Sequence, residues 1–171
     1  EFEIKNGETI NVERVSTFEV SSFVKDPYEV VRKSVFEAAK NSYEDELKTN
    51  EKIWANLWED SDIVIDGDDK MQLCIRHSLY NLLIAACKES SNVSIPAKGL
   101  TGEGYRGMVF WDTDIHMLPF FLYTQPQLAK NIVKFRSNTL NGARAKAKKY
   151  GCKGASFPWE TGISGNEECE D

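Results

Sequence analysis

Residues 104–121 read GYRGMVFWDTDIHMLPFF, a glycine-containing polar loop that leads into a strongly apolar run. At the junction an aromatic ring, Trp111, stands directly beside a carboxylate, Asp112. An indole can stack on the C–H face of a pyranose, and a carboxylate accepts hydrogen bonds from sugar hydroxyls. The pair therefore predicts a carbohydrate-binding site. On these two residues alone, a buried tryptophan followed by a helix-capping aspartate is the simpler alternative, because aspartate is favoured at the N-cap.

The composition is that of an ordinary soluble protein and bounds the possible partners. The chain has 171 residues, with 41% hydrophobic and 28% charged residues, which is enough for one domain with a core. A net charge of −6 without a long basic stripe argues against nucleic acid binding. The longest apolar runs, such as 117–123, are too short to span a bilayer, and no signal peptide is visible. We expect a cytoplasmic protein, and a start at Glu1 indicates processing or a piece of a longer chain.

Neither the cysteines nor the acidic residues have the spacing of a metal site. No Cys-x-x-Cys pair occurs, so zinc is not expected. Cys74 and Cys87 fall in one predicted helix, roughly 20 Å apart and beyond disulfide reach, which favours buried, reduced thiols. The acidic stretch 61–69 fails the calcium-loop template, because Val64 and Leu73 occupy ligand positions. His77 and His116 lack ligand-spaced partners and are expected to be structural or surface residues.

Periodicity predicts a mainly helical chain with a short β segment at its start. Residues 8–24 are rich in Val, Thr and Phe and indicate one or two strands. Apolar residues at helical spacing follow over 28–58, after Asp26 and Pro27, which suit a helix start. A further helix is predicted over 70–88, led by Asp66 or Asp68; apolar residues cover more than half its circumference, so it should be largely buried.

The second half is predicted to contain a functional loop and two more helical regions. The loop 89–107 is long for a compact domain and is therefore expected to carry function. Pro119 predicts a kink or restart in the helix that follows the loop. The last helix should run from Pro126 to Tyr150 with a break near 141–142, end at Gly151, and expose its basic end (Arg144, Lys146, Lys148 and Lys149). Residues 152–171 are expected to be mostly loop.

Six sequence blocks occur in an order that identifies a family resemblance. Their sequences are WANLW (54–58), DIVID (62–66), SLYNLL (78–83), IPAKGLTGEGYRGMVFWDTD (95–114), LPFFLY (118–123) and GASFPWE (154–160). The chain resembles glycoside hydrolase family 65, the family of maltose, kojibiose, nigerose and trehalose phosphorylases. The likeness covers residues 28–168. The FWDT and PWE blocks at this spacing favour the sugar-binding interpretation of Trp111 and Asp112 over helix capping.

The resemblance implies a fold and a domain division. The fold is mainly α: the opening helices of an (α/α)6 barrel, preceded by a short β segment from the end of a β-sandwich domain. Residues 1–25 would end the sandwich, 26–60 would form a helical linker, and 61–171 would form the first part of an incomplete catalytic barrel. The inner helix faces should then expose apolar surface that a soluble monomer would not tolerate. We therefore expect the remaining part of the same protein, or a completing chain, as a partner.

The resemblance also assigns binding residues. Trp111 and Asp112 match residues that hold the non-reducing glucosyl unit, and Trp159 and Glu160 match the pair that lines the neighbouring acceptor subsite. Met108 stands near the sugar site where several members have His, and Asp114 stands where Glu is usual. The departure at Met108 indicates that the acceptor differs from that of maltose phosphorylase.

The chemistry implied is inverting phosphorolysis of an α-linked disaccharide or related α-glucoside to β-glucose 1-phosphate. Inorganic phosphate is the co-substrate, and no cofactor or metal is implied. No catalytic residue is expected in this chain, because the family's general acid and phosphate-binding segment lie further on, beyond Asp171. The chain alone is expected to be inactive, and a homodimer is implied. The alternatives are a trehalase-like hydrolase of the same family and a non-catalytic carbohydrate-binding fragment.

Overall fold

The computed structural model describes residues 3–100 and 102–169. The chain divides into two compact units, one ending at Trp54 and the other beginning at Ala55. Each unit is described by itself below. The helices are numbered α1 to α6 and the strands β1 and β2 in chain order.

The first unit contains an irregular segment, helix α1 (Pro27–Ala38) and the start of helix α2 (Tyr43–Ser61). Helix α1 begins where the sequence predicts, because the Asp26 carboxylate accepts a hydrogen bond from the Glu29 N–H at 3.1 Å and Pro27 fills the first turn. Residues 39–42 separate the two helices, so the helical prediction over 28–58 is confirmed in two pieces.

The strand prediction for residues 8–24 is wrong for this structure. The segment has no regular secondary structure, and most of its side chains are exposed, including Phe18 at 92%. A strand needs a hydrogen-bonding partner, and no described residue of this unit pairs with the segment as a strand. One side-chain hydrogen bond joins it to α1, from Thr17 Oγ1 to the Val31 carbonyl at 3.2 Å. The β-sandwich origin of residues 1–25 stays a prediction.

In the second unit, helix α3 (Asp69–Ala85) is capped as predicted but is not largely buried. The Asp68 carboxylate accepts a hydrogen bond from the Met71 N–H at 2.9 Å. Buried positions lie only towards its end, at Leu79, Leu83 and Ala85, whereas Leu73 is 70% exposed. The burial prediction was wrong because the described elements cover only one face of this helix.

Three helices after the loop build the core of this unit. A wide π-helical turn (Thr113–Met117) leads into α4 (Leu118–Thr124), followed by α5 (Pro126–Asn138) and α6 (Leu140–Lys149). The restart at Pro119 and the stop at Gly151, where φ is +70°, are confirmed. The break predicted near 141–142 lies at Thr139 instead. These helices contribute the following apolar side chains to the core: Phe121, Leu128, Ala129, Ile132, Phe135, Ala143 and Ala147.

Two short strands join distant parts of the second unit. Strand β1 (Val109–Phe110) pairs antiparallel with β2 (Glu160–Thr161), with Val109 opposite Thr161 and Phe110 opposite Glu160. A single 3₁₀ turn (Gly104–Gly107) precedes β1. Residues 152–169, the described part of the stretch predicted to be mostly loop, are loop apart from β2. This pairing is the element that positions the candidate site.

Two further expectations about surface residues were wrong. Of the two thiols expected to be buried, Cys74 is exposed because it lies on the uncovered face of α3, and Cys87 is only half-buried just after the end of that helix. Within the basic run of α6, Lys146 is half-buried and pairs with Glu167 rather than facing solvent. His77 and His116 are both exposed, as expected of surface histidines.

No helix in the described part of the chain combines the length and the apolar character that crossing a membrane requires.

Candidate functional site

The strand pair brings the two tryptophans that the sequence singled out into contact. Trp111 directly follows β1, and Trp159 directly precedes β2. Their ring centroids lie 5.5 Å apart with an interplanar angle of 71°, an edge-to-face arrangement. Both indoles are accessible, with 41% of Trp111 and 48% of Trp159 exposed. The two rings therefore form an open aromatic surface rather than part of the core, which contradicts the buried-tryptophan alternative.

Asp112 does not cap the helical turn that follows it. Its backbone is already helical, with φ −53° and ψ −36°, whereas an N-cap residue has non-helical angles. Its side chain makes no capping hydrogen bond and is exposed. The next residue, Thr113, anchors the segment instead: it is 1% exposed, and its hydroxyl donates to the Ile95 carbonyl at 2.8 Å. The Asp112 side chain is thus exposed next to Trp111 in the chain and does not cap the turn that follows.

An arginine fork holds the segment that carries Trp111 and Asp112. Arg136 of α5 donates to the Asp114 carboxylate from Nε at 3.0 Å and from Nη2 at 2.6 Å. The same Nη2 donates to the Phe110 carbonyl at 3.1 Å. The two side chains are 12% and 30% exposed, so the pair is largely shielded from water. One guanidinium thereby fixes the backbone before Trp111 and the side chain after Asp112.

The sequence interpretation missed Arg136. The sequence feature that could have identified Arg136 is a charged residue placed immediately after Phe135, on the side of α5 where Leu128 and Ile132 are buried. Such a position predicts a paired charge, since arginine is rarely buried without a partner. The partner itself, Asp114, lies on a different element and cannot be identified from periodicity.

A second ion pair holds the backbone around Trp159 and Glu160. The Glu167 carboxylate accepts the Trp159 N–H through Oε2 and the Glu160 N–H through Oε1, both at 3.0 Å. Lys146 of α6 donates to Oε2 at 2.6 Å and to the Phe157 carbonyl at 3.4 Å. The sequence interpretation missed this pair as well, because both residues were assigned to exposed charged stretches.

The Glu167 carboxyl is ionised at neutral pH. Burial raises its pKa, but the hydrogen bond from Lys146 and the two backbone N–H donors outweigh burial and lower the pKa to about 2. The negative charge therefore persists through the physiological range, and the carboxylate accepts all three hydrogen bonds there.

Aromatic contacts connect Trp159 to Tyr105 through Phe110, which is itself buried. Phe110 contacts Trp159 at 6.0 Å and Tyr105 at 5.0 Å, both edge to face. Tyr105 and Arg106 have left-handed backbones, with φ of 59° and 50°, a conformation that side-chain-bearing residues rarely adopt. Strain of this kind is commonly found at functional loops.

Met108 and Glu160 lie at the ends of the same strand pair. The Met108 carbonyl accepts the Ala97 N–H at 3.1 Å, and its sulfur lies beside Gly162, directly after β2. Glu160 is half-buried in β2 and opposite Phe110. The structure thus brings all five sequence-assigned binding residues, Met108, Trp111, Asp112, Trp159 and Glu160, to one strand pair and its flanks.

An open cleft of about 510 Å³ adjoins this surface. Trp111, Asp114, Arg136 and Phe157 line it together with Ile115 and Ser156. Its lining combines the Trp111 indole and two other apolar side chains with one carboxylate, Asp114, which is paired with Arg136. In the described part of the chain, no group of three or more His, Cys, Asp or Glu side chains is arranged to hold a metal ion.

Comparisons with known proteins all indicate the same family. Residues 76–171 match the model of the glycosyl hydrolase family 65 central catalytic domain. The chain is 41% identical over 170 residues to a nigerose phosphorylase of Lachnoclostridium phytofermentans, and the aligned region covers 99% of this chain and 23% of that protein. It is 45% identical over 130 residues to a kojibiose phosphorylase of Halothermothrix orenii, covering 76% of this chain and 17% of the relative.

A hydrolase and a solved structure are also similar. A kojibiose hydrolase of Flavobacterium johnsoniae is 38% identical over 165 residues, covering 96% of this chain and 24% of that protein. A solved structure assigned to kojibiose phosphorylase from the human microbiome superposes with a TM-score of 0.77 at 40% identity, covering 82% of this chain and 19% of that one. The chain therefore spans less than a quarter of the length of each of these relatives.

Proposed function

The chain belongs to glycosyl hydrolase family 65, and from that premise we propose that it is the sugar-binding part of an inverting α-glucoside phosphorylase. The observation that carries the proposal is the strand pair that places Trp111 and Asp112 beside Trp159 and Glu160. Two accessible indoles, the exposed Asp112 carboxylate and the half-buried Glu160 at one strand pair supply stacking faces and hydroxyl acceptors for adjoining sugar units. The phosphorylases among the relatives support phosphate as the attacking group.

Each side of the surface takes one sugar unit in this proposal. Trp111 and Asp112 hold the non-reducing glucosyl unit, and Trp159 and Glu160 hold the acceptor. Met108 adjoins the acceptor side, next to the end of β2. Its thioether offers a soft apolar contact where a histidine would offer a hydrogen bond, so it influences which acceptor fits.

The reaction needs a proton donor for the glycosidic oxygen and phosphate on the opposite face of the anomeric carbon. Because phosphate is already anionic and nucleophilic, no basic carboxylate is required to activate it. The residues of this chain bind and orient the glucoside, and we assign the general acid and the phosphate contacts to chain beyond Asp171. The product is β-glucose 1-phosphate, made without a cofactor in a cytoplasmic enzyme that acts as a homodimer.

Exposed apolar side chains in the second unit support a completing part of the protein. Ile115, Tyr123 and Ile163 are 60%, 88% and 73% exposed. Large accessible apolar surface of this kind marks a protein contact. We therefore propose that further barrel helices cover this surface, either from the same polypeptide or from a second chain.

Phosphate dependence tests the reaction type. The full-length gene product that contains this chain is incubated with kojibiose, nigerose or trehalose, with and without inorganic phosphate. Appearance of β-glucose 1-phosphate only with phosphate supports phosphorolysis. Glucose release that is independent of phosphate means a hydrolase, the second candidate, which the Flavobacterium relative favours. Sugar binding without turnover means a non-catalytic module.

Asp112→Asn tests the assigned site, with Asp66→Asn as an exposed aspartate control far along the chain. Loss of a charged hydrogen-bond acceptor costs about 3 kcal/mol, so glucosyl binding and turnover should fall roughly 100-fold. Unchanged binding in Asp112→Asn would show that the site assignment is wrong.

A further inference from the structure

We propose that Glu167 is a positioning residue for the acceptor side of the site, acting through the backbone of Trp159 and Glu160. This inference rests on the proposed function, because the acceptor side is part of the sugar site proposed there and Glu167 acts on it only through the backbone. The evidence is the geometry of one carboxylate that accepts both consecutive amides, each at 3.0 Å.

Two hydrogen bonds to consecutive backbone amides restrict the orientation of Trp159 more than one hydrogen bond would. Each carboxylate oxygen orients one peptide unit, so the backbone on both sides of the Trp159 Cα is held and the direction of its side chain is set. The indole is 48% exposed and so is not held in place by burial. Among the described residues, its ring contacts are the edge contacts with Trp111 and Phe110, and these allow the ring to tilt if the backbone shifts. The pairing of β2 with β1 and the Glu168 N–H, which donates to the Glu160 carbonyl at 2.9 Å, also hold the backbone after Trp159.

Lys146 connects this carboxylate to the rigid part of the unit. It lies on α6 next to Ala147, and Ala143 and Ala147 are 0% and 1% exposed, so the helix is packed on its inner side. Its ammonium reaches Glu167 at 2.6 Å. The acceptor side is thereby aligned with the packed face of a helix rather than with its own loop, which is the arrangement that keeps a binding site in a fixed geometry.

The glucosyl side has separate anchors. The segment with Trp111 and Asp112 is held by Arg136 and by the buried Thr113. The hydrogen-bond partners of Glu167 are instead Lys146, Trp159 and Glu160. Loss of Glu167 should therefore weaken acceptor binding without a comparable effect on the glucosyl unit. A residue that only stabilised the fold would weaken both sides together.

The test uses the full-length gene product in the synthetic direction, with β-glucose 1-phosphate as donor and glucose as acceptor. The variants are Glu167→Gln, Lys146→Met and both together, with Glu168→Gln as the matched control. Glu168 is the adjacent glutamate, and its carboxylate accepts from the Ser164 hydroxyl at 3.3 Å rather than from the backbone of residues 159 and 160. Thermal unfolding is measured alongside the kinetics.

In Glu167→Gln we expect the KM for the acceptor to rise about tenfold, as for loss of a charge-assisted hydrogen bond, while the KM for β-glucose 1-phosphate stays within about twofold. Lys146→Met keeps both amide contacts and should raise the acceptor KM by roughly threefold. The double variant should regain thermal stability relative to Glu167→Gln, since no lone charge remains, but should not regain acceptor affinity.

Several outcomes would overturn the inference. They are an acceptor KM in Glu167→Gln equal to that in Glu168→Gln, equal losses for donor and acceptor, or recovery of acceptor affinity in the double variant. If Glu167→Gln does not fold, Lys146→Met decides: an unchanged acceptor KM refutes the proposal. A wild-type protein without activity in either direction refutes the proposed function, and this inference with it.

Discussion

Replacing Glu167 with Gln should loosen the backbone at Trp159 and Glu160 in the native state. The substitution keeps the size of the side chain but replaces one acceptor oxygen by an NH₂ group, which cannot accept the amide it would face. It also removes the charge that pairs with Lys146. The amide hydrogens of residues 159 and 160 should therefore exchange with solvent faster.

The size of the effect follows from the pKa of the carboxyl. A fall from 4.5 to about 2 corresponds to about 3 kcal/mol of preference for the ionised form in the folded state. Because 26% of the side chain is exposed, solvent screening reduces this value, and we expect about 1 to 2 kcal/mol. That range predicts roughly 5- to 30-fold faster exchange of the two amides, provided that exchange occurs by local opening.

Hydrogen–deuterium exchange with mass spectrometry, on peptides that cover residues 157–161, measures this change at neutral pH. Glu168→Gln is the control, since it removes the same charge one residue away. Exchange in Glu167→Gln at the wild-type rate would refute the reasoning, as would an equal acceleration in Glu168→Gln. Acceleration spread over all peptides would point to global destabilisation instead.

The sign of the pH dependence follows from the same shift. The folded-state pKa lies below the unfolded value, so the contribution of Glu167 is fully present above pH 4.5 and is lost as the pH falls towards about 2. The difference in thermal stability between the wild type and Glu167→Gln should therefore narrow over this acidic range and stay constant above it.

Two further substitutions test the scaffold of the site through thermal unfolding. Arg136→Met should lower the free energy of unfolding by about 2 kcal/mol, because it leaves the shielded Asp114 carboxylate without its guanidinium partner. Adding Asp114→Leu should restore much of this loss. No loss of stability in Arg136→Met would contradict the assigned ion pair. Gly165→Ala should lower the free energy of unfolding by more than about 2 kcal/mol, because φ is +74° and a Cβ would collide with the backbone at the α5–α6 junction. The control Gly154→Ala has φ +92° but open space around it, so it should lower the free energy of unfolding by only about 1 kcal/mol. Equal costs at the two glycines would exclude the collision.

Local signals in the sequence predicted local structure well. Asp26 and Asp68 cap the helices that they precede, and Pro119 and Gly151 mark a restart and a stop. Each of these effects is decided within one helical turn, by a side chain that satisfies a terminal amide or by a restricted backbone angle. That is why they can be read without knowledge of the fold.

Properties that depend on distant parts of the chain were predicted less well. The exposed face of α3 and the irregular segment 8–24 both look apolar or strand-like in sequence, but burial and pairing depend on elements that must lie against them. The partners of Arg136 and Lys146 likewise lie 22 and 21 residues away in the chain. The binding residues could be assigned because their motifs occur in a recognisable order, whereas the ion pairs that hold them carry no such motif.

The strand pair beneath the tryptophans also determines when the site can form during folding. Two strands of two residues each cannot persist alone in water, and residues 111–159 lie between them. Closing so long a loop has an entropic cost that is recovered only once α4, α5 and α6 are packed. The contact between the two indoles is therefore a late event, and its fluorescence signal should appear after helix formation in a refolding experiment.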